Sequence, residues 1–368
     1  MSQSIIEGVV ADSETGEPLE FVAVVSGNSI TTTNADGSFI LKTADSVYLS
    51  HVAYEKKSLI SSSIESDTIY LKSKFITLNE IVISDEELNL GQYINIKDNY
   101  PFEEYTEDFF LRASLKKDGA LVKLQDLTGR LTREQLFPNS LSKPIPLKLE
   151  VTEMQKVGLK EGRVYFEMFG IEKVNRVILL IFTSSSMHDF YEVPANNADH
   201  VKLIFKANKA HPNPHVGGHY IIHKEDSAIE EYHTVENLSN VDYEERYGVR
   251  SRTTYVEITV NFKKQKSGNK YYLDKAKINA TAELLDGDQE KPTIYEAEFI
   301  WITLNNTDAK IKKNASVKKD IFKLDYPYNE HFWKKQNILP LTKEMEVFIK
   351  KSSDSEIERK WTNIRQAD

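Results

Sequence analysis

Three long stretches of alternating residues constrain this chain more than any other feature. Residues 254–262 put Val256, Ile258, Val260 and Phe262 on one side and Tyr255, Glu257, Thr259 and Asn261 on the other. Side chains alternate across a strand with a period of two, so this reads as a β-strand with one apolar face. Ser267-Gly268-Asn269 turns the chain, and Tyr272, Ala276, Ile278, Ala280, Ala282 and Leu284 line one face of the next strand. Asp286-Gly287 turns it again, and Tyr295, Ala297, Phe299 and Trp301 line a third. The pattern predicts an antiparallel meander with one apolar and one polar face. Strands this long usually curl, and a curled sheet with a row of small Ala side chains wraps a helix or encloses a groove.

The first part of the chain carries a different rhythm. Short apolar runs at residues 6–11, 21–25, 38–42, 46–51, 68–71 and 80–84 are separated by turn residues. That spacing predicts a small β-sandwich over residues 1–84. Thr15-Gly16-Glu17-Pro18 and Asn34-Ala35-Asp36-Gly37 supply the first turns. Residues 85–100 are acidic and Asn-rich and read as a linker. Residues 101–117 read as a helix, because Pro101 suits a first turn and Glu103, Glu104, Glu107 and Asp108 suit the positive end of its dipole. The larger curved antiparallel β domain is expected over residues 101–345, with a charged helical tail over 346–368. The longest apolar run, residues 177–182, fits a strand buried on both faces and falls far short of the roughly 18–20 residues that span a bilayer.

The first eighty residues resemble the carboxypeptidase-regulatory-like, transthyretin-like domain of Bacteroidota envelope proteins. The resemblance rests on Gly8, Val9, Val10 and Asp12, then on Thr15, Gly16, Pro18 and Leu19. It continues through Thr33, Asn34, Asp36, Gly37 and Phe39, then Val52, Ala53 and Tyr54, and closes on Leu78, Glu80, Ile81, Val82 and Ile83. Asn34 stands where that family has an acidic residue and Ala53 where it has Gly. The resemblance implies a periplasmic, outer-membrane-associated address, with a signal peptide removed, and a contact or spacer role without chemistry. Residues 201–206, Gly217-Gly218-His219-Tyr220-Ile221-Ile222 and Ala228-Ile229-Glu230 are similar to envelope proteins that pair this module with a half-barrel like that of periplasmic lipoprotein carriers. Asp45-Ser46-Val47, Asp67-Thr68-Ile69 and Asp226-Ser227-Ala228 resemble a short O-glycosylation motif of the same group. Without the resemblance, a strand pattern starting at residue 5 leaves no room for a targeting segment, which reads as either cytoplasmic or trimmed.

Composition narrows the function. A chain of 368 residues suggests two or three domains. Its net charge of −9 gives no general positive field for nucleic acid. Cys is absent, which excludes disulfides, thiolate metal sites, a Cys nucleophile and a thioester lipid anchor.

Four histidines, His211, His215, His219 and His223, fall within thirteen residues. Pro212, Pro214, Gly217 and Gly218 forbid the helix that would gather them. On a strand, residues four apart lie about 13 Å apart, too far to share one ion at about 2.1 Å from each nitrogen. They read as loop and hairpin histidines, with His219 and His223 on one strand face. His233 and Glu236, with His331 downstream, match the ligand spacing of zinc carboxypeptidases, but their surroundings read as an exposed edge strand. Ser184-Ser185-Ser186 beside His188 and Asp189 lacks the tight elbow a serine nucleophile needs. Asp126 to Arg130 reads as a turn, and Arg130, Arg133, Lys143 and Lys148 as a solvated basic face.

No catalytic, cofactor-binding or metal-ligating residue is therefore expected, and no cofactor. The chain reads as mainly β, a non-enzymatic interaction or scaffold protein, an accessory subunit of an outer-membrane complex or β-barrel serving transport, secretion or barrel assembly. The alternative is a periplasmic carrier holding a lipid or lipoprotein acyl chain in the curved sheet. No nucleic acid and no transmembrane segment of its own are expected.

Overall fold

The computed structural model describes residues 4–43, 46–61, 64, 68–75, 90–138, 145–159, 168–193, 199–265, 268–354 and 362–364. Among them, strands dominate, and four α-helices occur: α1 (Ile96–Asn99), α2 (Ile171–Ile178), α3 (Glu330–Trp333) and α4 (Lys343–Asp354). The chain forms two compact units. One comprises Met1–Ile81, Val193–His200 and Glu330–Lys350; the other comprises Val82–Glu192, Val201–Asn329 and Lys351–Asp368.

The first unit contains β1 (Ser4–Asp12), β2 (Ala23–Ser26), β3 (Ser29–Thr32), β4 (Ser38–Thr43), β5 (Ser46–His51), β6 (Tyr54–Ile60) and β7 (Thr68–Leu71). A three-stranded sheet β4-β1-β7 and a four-stranded sheet β3-β2-β5-β6 enclose a core of Val10, Val22, Val24, Phe39, Leu41, Val47, Leu49, Ile69 and Leu71. β1 runs antiparallel to β4 and parallel to β7. The turn before β4 needs glycine twice over. Gly37 has φ +71°, and a Cβ there would lie 2.4 Å from the Val10 carbonyl. Asn34 organises the same turn by accepting from Asp36 N and Ser38 N, each at 3.0 Å. β3 and β6 join the strands read from the sequence, while the run at residues 80–84 lies outside the described residues. Glu330–Lys350, which the sequence divides between the larger domain (to 345) and the tail (from 346), belongs to this unit. Thr31 Oγ1 donates to the Asn337 carbonyl at 2.5 Å and Thr32 N to the Ile338 carbonyl at 3.1 Å, so this segment covers the outer edge of β3.

The second unit is one curved, open antiparallel sheet. Its strands are β8 (Tyr105–Lys117), β9 (Ala120–Arg133), β10 (Leu147–Gly158), β11 (His188–Val193), β12 (His200–Ala207), β13 (Val216–His223), β14 (Ala228–Asn237), β15 (Glu244–Arg246), β16 (Val249–Lys264), β17 (Tyr271–Asp286) and β18 (Thr293–Thr307). The order is β10-β9-β8-β18-β17-β16-β14-β13-β12-β11, with β15 paired to β16. Two meanders thus join where β8 meets β18. One in-register row runs across eight strands: Met154, Leu127, Leu111, Trp301, Ala276, Val260, Tyr232 and Tyr220. All eight are buried. α2 lies over this face against β16 and β17 and buries Ile171, Val174, Asn175 and Ile178. The expected face of β17 holds for Ala276 and Ile278, but a bulge between Asn261 and Phe262 of β16 shifts the register, so Tyr271 and Leu273 are buried in place of Tyr272.

Residues 105–117, expected within a helix, are strand β8. Phe109, Leu111, Ala113 and Leu115 face the core while Phe110 and Arg112 are buried on the opposite face, and burial on both faces hides the period of two. Glu107, placed by sequence at a helix dipole, is fully buried and pairs with Arg133. The predicted turn at 126–130 is the middle of β9. Asp126 there accepts from Arg112 Nε at 2.7 Å, and a Cβ on Gly129 would lie 2.6 Å from the Glu150 carbonyl. The run at 177–182 is the end of α2 and a following loop. Ile171, Val174 and Ile178 recur at helical spacing, which a short apolar run conceals. Of the expected linker, residues 90–100 form a 3₁₀ turn and α1, with Leu90 and Tyr100 buried in the core of this unit. Of the expected helical tail over 346–368, the described residues comprise the remainder of α4, to Asp354, and residues 362–364, which are not helical.

Arg133 and Glu107 are both 0% exposed, and Asn175 of α2 accepts from Arg133 Nη1 at 3.4 Å. Burial pushes the Glu107 carboxyl up, against the opposing pull of Arg133. Removing one member strands a buried charge. Arg133→Met is expected to lower the stability of this unit by about 3–5 kcal/mol in chemical denaturation, and the double variant with Glu107→Leu to lose less than that single variant.

Candidate functional site

At one end of the curved sheet, α1 and the loop after α2 frame an open apolar groove. Asn95 caps α1 by accepting from Asp98 N at 3.2 Å, and Lys270 donates to the Lys97 and Asp98 carbonyls at 3.3 and 2.8 Å. Asn99 Nδ2 donates to the Asp226 carbonyl at 2.5 Å, and Asn95 N donates to the Ser227 carbonyl at 2.9 Å, fixing α1 to the β13–β14 turn. Tyr100 is buried and donates to the Ile229 carbonyl at 2.7 Å. Burial holds its phenol well above the usual range. The other wall is set by Tyr220, which donates to the Ile181 carbonyl at 2.6 Å and lies 2.8 Å from Thr183 Oγ1.

On the α1 side lies a recess of about 560 Å³, lined by Ile96, Lys97, Phe102, Glu103 and Lys270. A second recess of about 350 Å³ is lined by Leu90, Ile94, Ile96, Phe182 and the 183–185 backbone and side chains. Ile96 belongs to both, so the two adjoin. Phe102 and Phe182 remain 44% and 45% exposed, so two aromatic rings stand at the mouth. No sequence pattern marked this groove, because its residues come from three separate segments.

The first unit carries a second apolar surface. On the solvent side of its four-stranded sheet, Ile30 of β3 is directly opposite Val25 of β2, and Val25 is directly opposite Tyr48 of β5. Ile60 of β6 sits diagonal to Tyr48. Ile30, Tyr48 and Ile60 are 62, 56 and 62% exposed. Together they form one row rather than scattered single side chains.

The histidines disperse as the strand geometry requires. His219 and His223 share a face of β13, opposite the buried Tyr220 and Ile222. His219 Nε2 donates to Glu231 Oε1 at 2.9 Å, and Asn261 Nδ2 donates to Glu231 Oε2 at 2.8 Å. His223 donates to Asp226 at 3.0 Å. His211 and His215 lie in the preceding loop, with His211 Nδ1 bonded to the Asn213 backbone. His233 and Glu236 do not converge. They are three apart on an unbulged stretch of β14, so they point to opposite faces. That strand lies between β13 and β16, and is not the exposed edge the sequence suggested. His331 sits in α3 with its Nε2 3.0 Å from Lys335 Nζ. Among the described residues, no group of His, Asp and Glu could hold a metal ion. Ser184, Ser186 and His188 make a closed local loop: Ser184 and Ser186 hydroxyls lie 2.7 Å apart, and His188 Nδ1 is 3.0 Å from the Ser184 carbonyl. The basic residues are paired: Arg130 with Asp108 at 2.9 Å, Arg133 with Glu107, and Lys148 with Glu104 at 3.3 Å. Lys143 lies outside the described residues. Of the three short glycosylation-like motifs, Asp45 and Asp67 lie outside them too, and the Asp226 carboxylate is occupied by His223, Lys264 and Tyr271.

No protein-family model matches this chain, and no curated protein matches it. Among solved structures, lipovitellin, described for its lipid–protein interactions, is similar at 11% identity and a TM-score of 0.26, over 59% of this chain and 26% of that one. The chain therefore spans about a quarter of that protein's length. Among the described residues, no helix is long and apolar enough to cross a membrane.

One histidine of this face has a shifted equilibrium. Burial and the adjacent His219 ring, 5.1 Å away, push the His233 pKa below its ordinary 6.5, against Glu257. The folded chain thus binds this proton less tightly than the unfolded chain. The stability that neutral His233 contributes is complete above pH 6.5 and is lost as pH falls toward the lower folded value. Denaturation midpoints measured from about pH 7 to about pH 5.5 are expected to fall less steeply for His233→Gln than for the parent chain.

Proposed function

We propose that this protein is a non-enzymatic interaction protein of the cell envelope, an accessory subunit that docks on an outer-membrane assembly. The observation that carries this reading is the row Ile30, Val25, Tyr48 and Ile60 across the solvent face of the four-stranded sheet. Apolar side chains lined up across strands cost solvation in the free chain and are covered when a partner docks. Aromatic and branched anchors of this kind carry most of the energy of an interface. The envelope address rests on the resemblance of the first eighty residues to the regulatory-like module. Affinity purification of the tagged protein from its native envelope is expected to recover a stoichiometric outer-membrane protein. The Ile30→Asp/Tyr48→Asp double variant is expected to lose it while keeping its thermal unfolding temperature, because both side chains are exposed. Recovery of a lone parent chain would count against the docking reading.

A second reading, a carrier of an acyl chain, is favoured by the groove around Ile96. Its recesses of about 560 and 350 Å³ match the size range of small-molecule sites. The sequence placed such a ligand on the apolar sheet face around Val256, Ile258, Ala280 and Phe299. There Ile258 and Phe299 are buried, and Phe299 stacks on Phe169 at 5.7 Å, so the groove at the end of the sheet is the better seat. A fluorescent sixteen-carbon fatty acid is expected to bind the parent chain saturably, and at least about tenfold more weakly to Ile96→Glu. Equal binding by the two chains removes the carrier reading from this groove.

A further inference from the structure

The open sheet must end somewhere, and at one end it ends on β10. A strand edge presents unpaired N–H and C=O groups that template the addition of another strand. Two asparagines cover this edge by imitating a strand. Asn314 Oδ1 accepts from Val151 N and its Nδ2 donates to the Val151 carbonyl, both at 2.8 Å. Its own backbone N donates to the Leu149 carbonyl at 3.2 Å. Further along, Asn363 Oδ1 accepts from Lys156 N at 2.8 Å while Nδ2 donates to the Met154 and Tyr326 carbonyls at 2.9 and 3.0 Å. Asn363 N and Thr362 Oγ1 both donate to the Lys156 carbonyl, at 3.2 and 3.1 Å.

The two clamps differ in how they are held. Asn314 is followed directly by Ala315, which bridges to Leu149, and shortly by the 3₁₀ turn at Ile321–Lys323. The second clamp meets β10 from 207 positions away in sequence, and its described contacts with that edge are hydrogen bonds from residues 362 and 363. Hydrogen bonds exchanged with water are individually weak, and closing a long loop costs entropy. A contact of this kind opens locally, without the rest of the sheet.

We propose that the outer edge of β10 is a strand-addition site for an extended peptide bearing a side-chain amide. Residues 362–364 are its built-in occupant, holding the site shut until a competing segment displaces them. The recognition chemistry is already on the molecule: an amide fork that takes Lys156 N and gives to the Met154 carbonyl, flanked by backbone pairing to the Lys156 carbonyl. It concerns a different surface from the apolar row and the groove, and stands independently of both.

The test uses the full-length chain with N363D. That change keeps the size of the side chain but turns the donor facing the Met154 and Tyr326 carbonyls into an acceptor, so the latch loosens. A labelled synthetic peptide of residues 358–368 is titrated by fluorescence anisotropy. Saturable binding to the N363D chain is expected, with at least about tenfold weaker binding to the parent, whose own latch competes. The same peptide carrying N363D is expected to bind neither. Absence of binding to a folded N363D chain, or equal binding of the two peptides, would overturn the proposal. Hydrogen exchange on the parent chain provides a check that needs no variant. The Lys156 amide should exchange at a rate that hardly changes with sub-denaturing urea, whereas Ile278 should exchange only with unfolding of the sheet. Exchange of both amides only by unfolding of the sheet would mean that the latch does not open, and would equally defeat the idea.

Discussion

The curved sheet depends on one shared register. Met154, Leu127, Leu111, Trp301, Ala276, Val260, Tyr232 and Tyr220 stand opposite one another across eight strands, and a slip of one residue in any of them would turn its whole apolar set outward. Phe109 stacks on Trp301 at 4.1 Å, so the join between β8 and β18 is fixed by aromatic contact as well as by backbone bonding. That join closes two meanders into one sheet, and α2 covers the face they share. The same row makes the interior around Trp301 a packed core. Open space is left at the groove where α1 meets the loop after α2.

The opposite face solves a different problem, that of polar side chains with little access to water. Several are answered by a neighbour at or near their own register position. Arg112 faces Asp126 across β8 and β9 and bonds it through Nε and Nη2, and Gln155 of β10 completes the group. Glu231 faces Asn261, Asn279 faces Glu257, and Lys277 reaches Glu298 at 3.0 Å. This ladder spreads the described histidines and acids along the strands. Their partners are set by strand pairing, which keeps neighbours about 5 Å apart in rows and does not gather them round a point.

Much of the fold was legible because alternation is a local property. The strands around Ile258, Ile278 and Phe299 were read from residues two apart, and those of the sandwich around Val10, Phe39 and Leu49 from short apolar runs between turn residues. β8 was not, because Phe110 and Arg112 are buried on the face that should have been polar. Asp126-Leu127-Thr128-Gly129-Arg130 resembled a turn because the sequence does not show that Arg112 will neutralise Asp126, or that Glu150 and Phe109 will crowd the glycine. His233 and Glu236 match a ligand pair in spacing alone, and sequence could not show that their strand lies inside the sheet and not at its edge.

By itself the sequence determined a mainly β chain with a short-stranded part and a long-stranded part, because periodicity and turn chemistry act over a few residues. It determined that His219 and His223 would share a strand face with His211 and His215 in the preceding loop, because the prolines and glycines there preclude a helix. Tertiary structure decided everything that depends on distant segments meeting. It put Glu330–Lys350 with the sandwich, assembled the groove from three stretches of chain, and laid residues 362–364 along β10. It also selected which apolar side chains of the sandwich remained uncovered. Each of these is settled by which surfaces must be removed from water and which backbone groups must find partners, and those demands are met only in three dimensions.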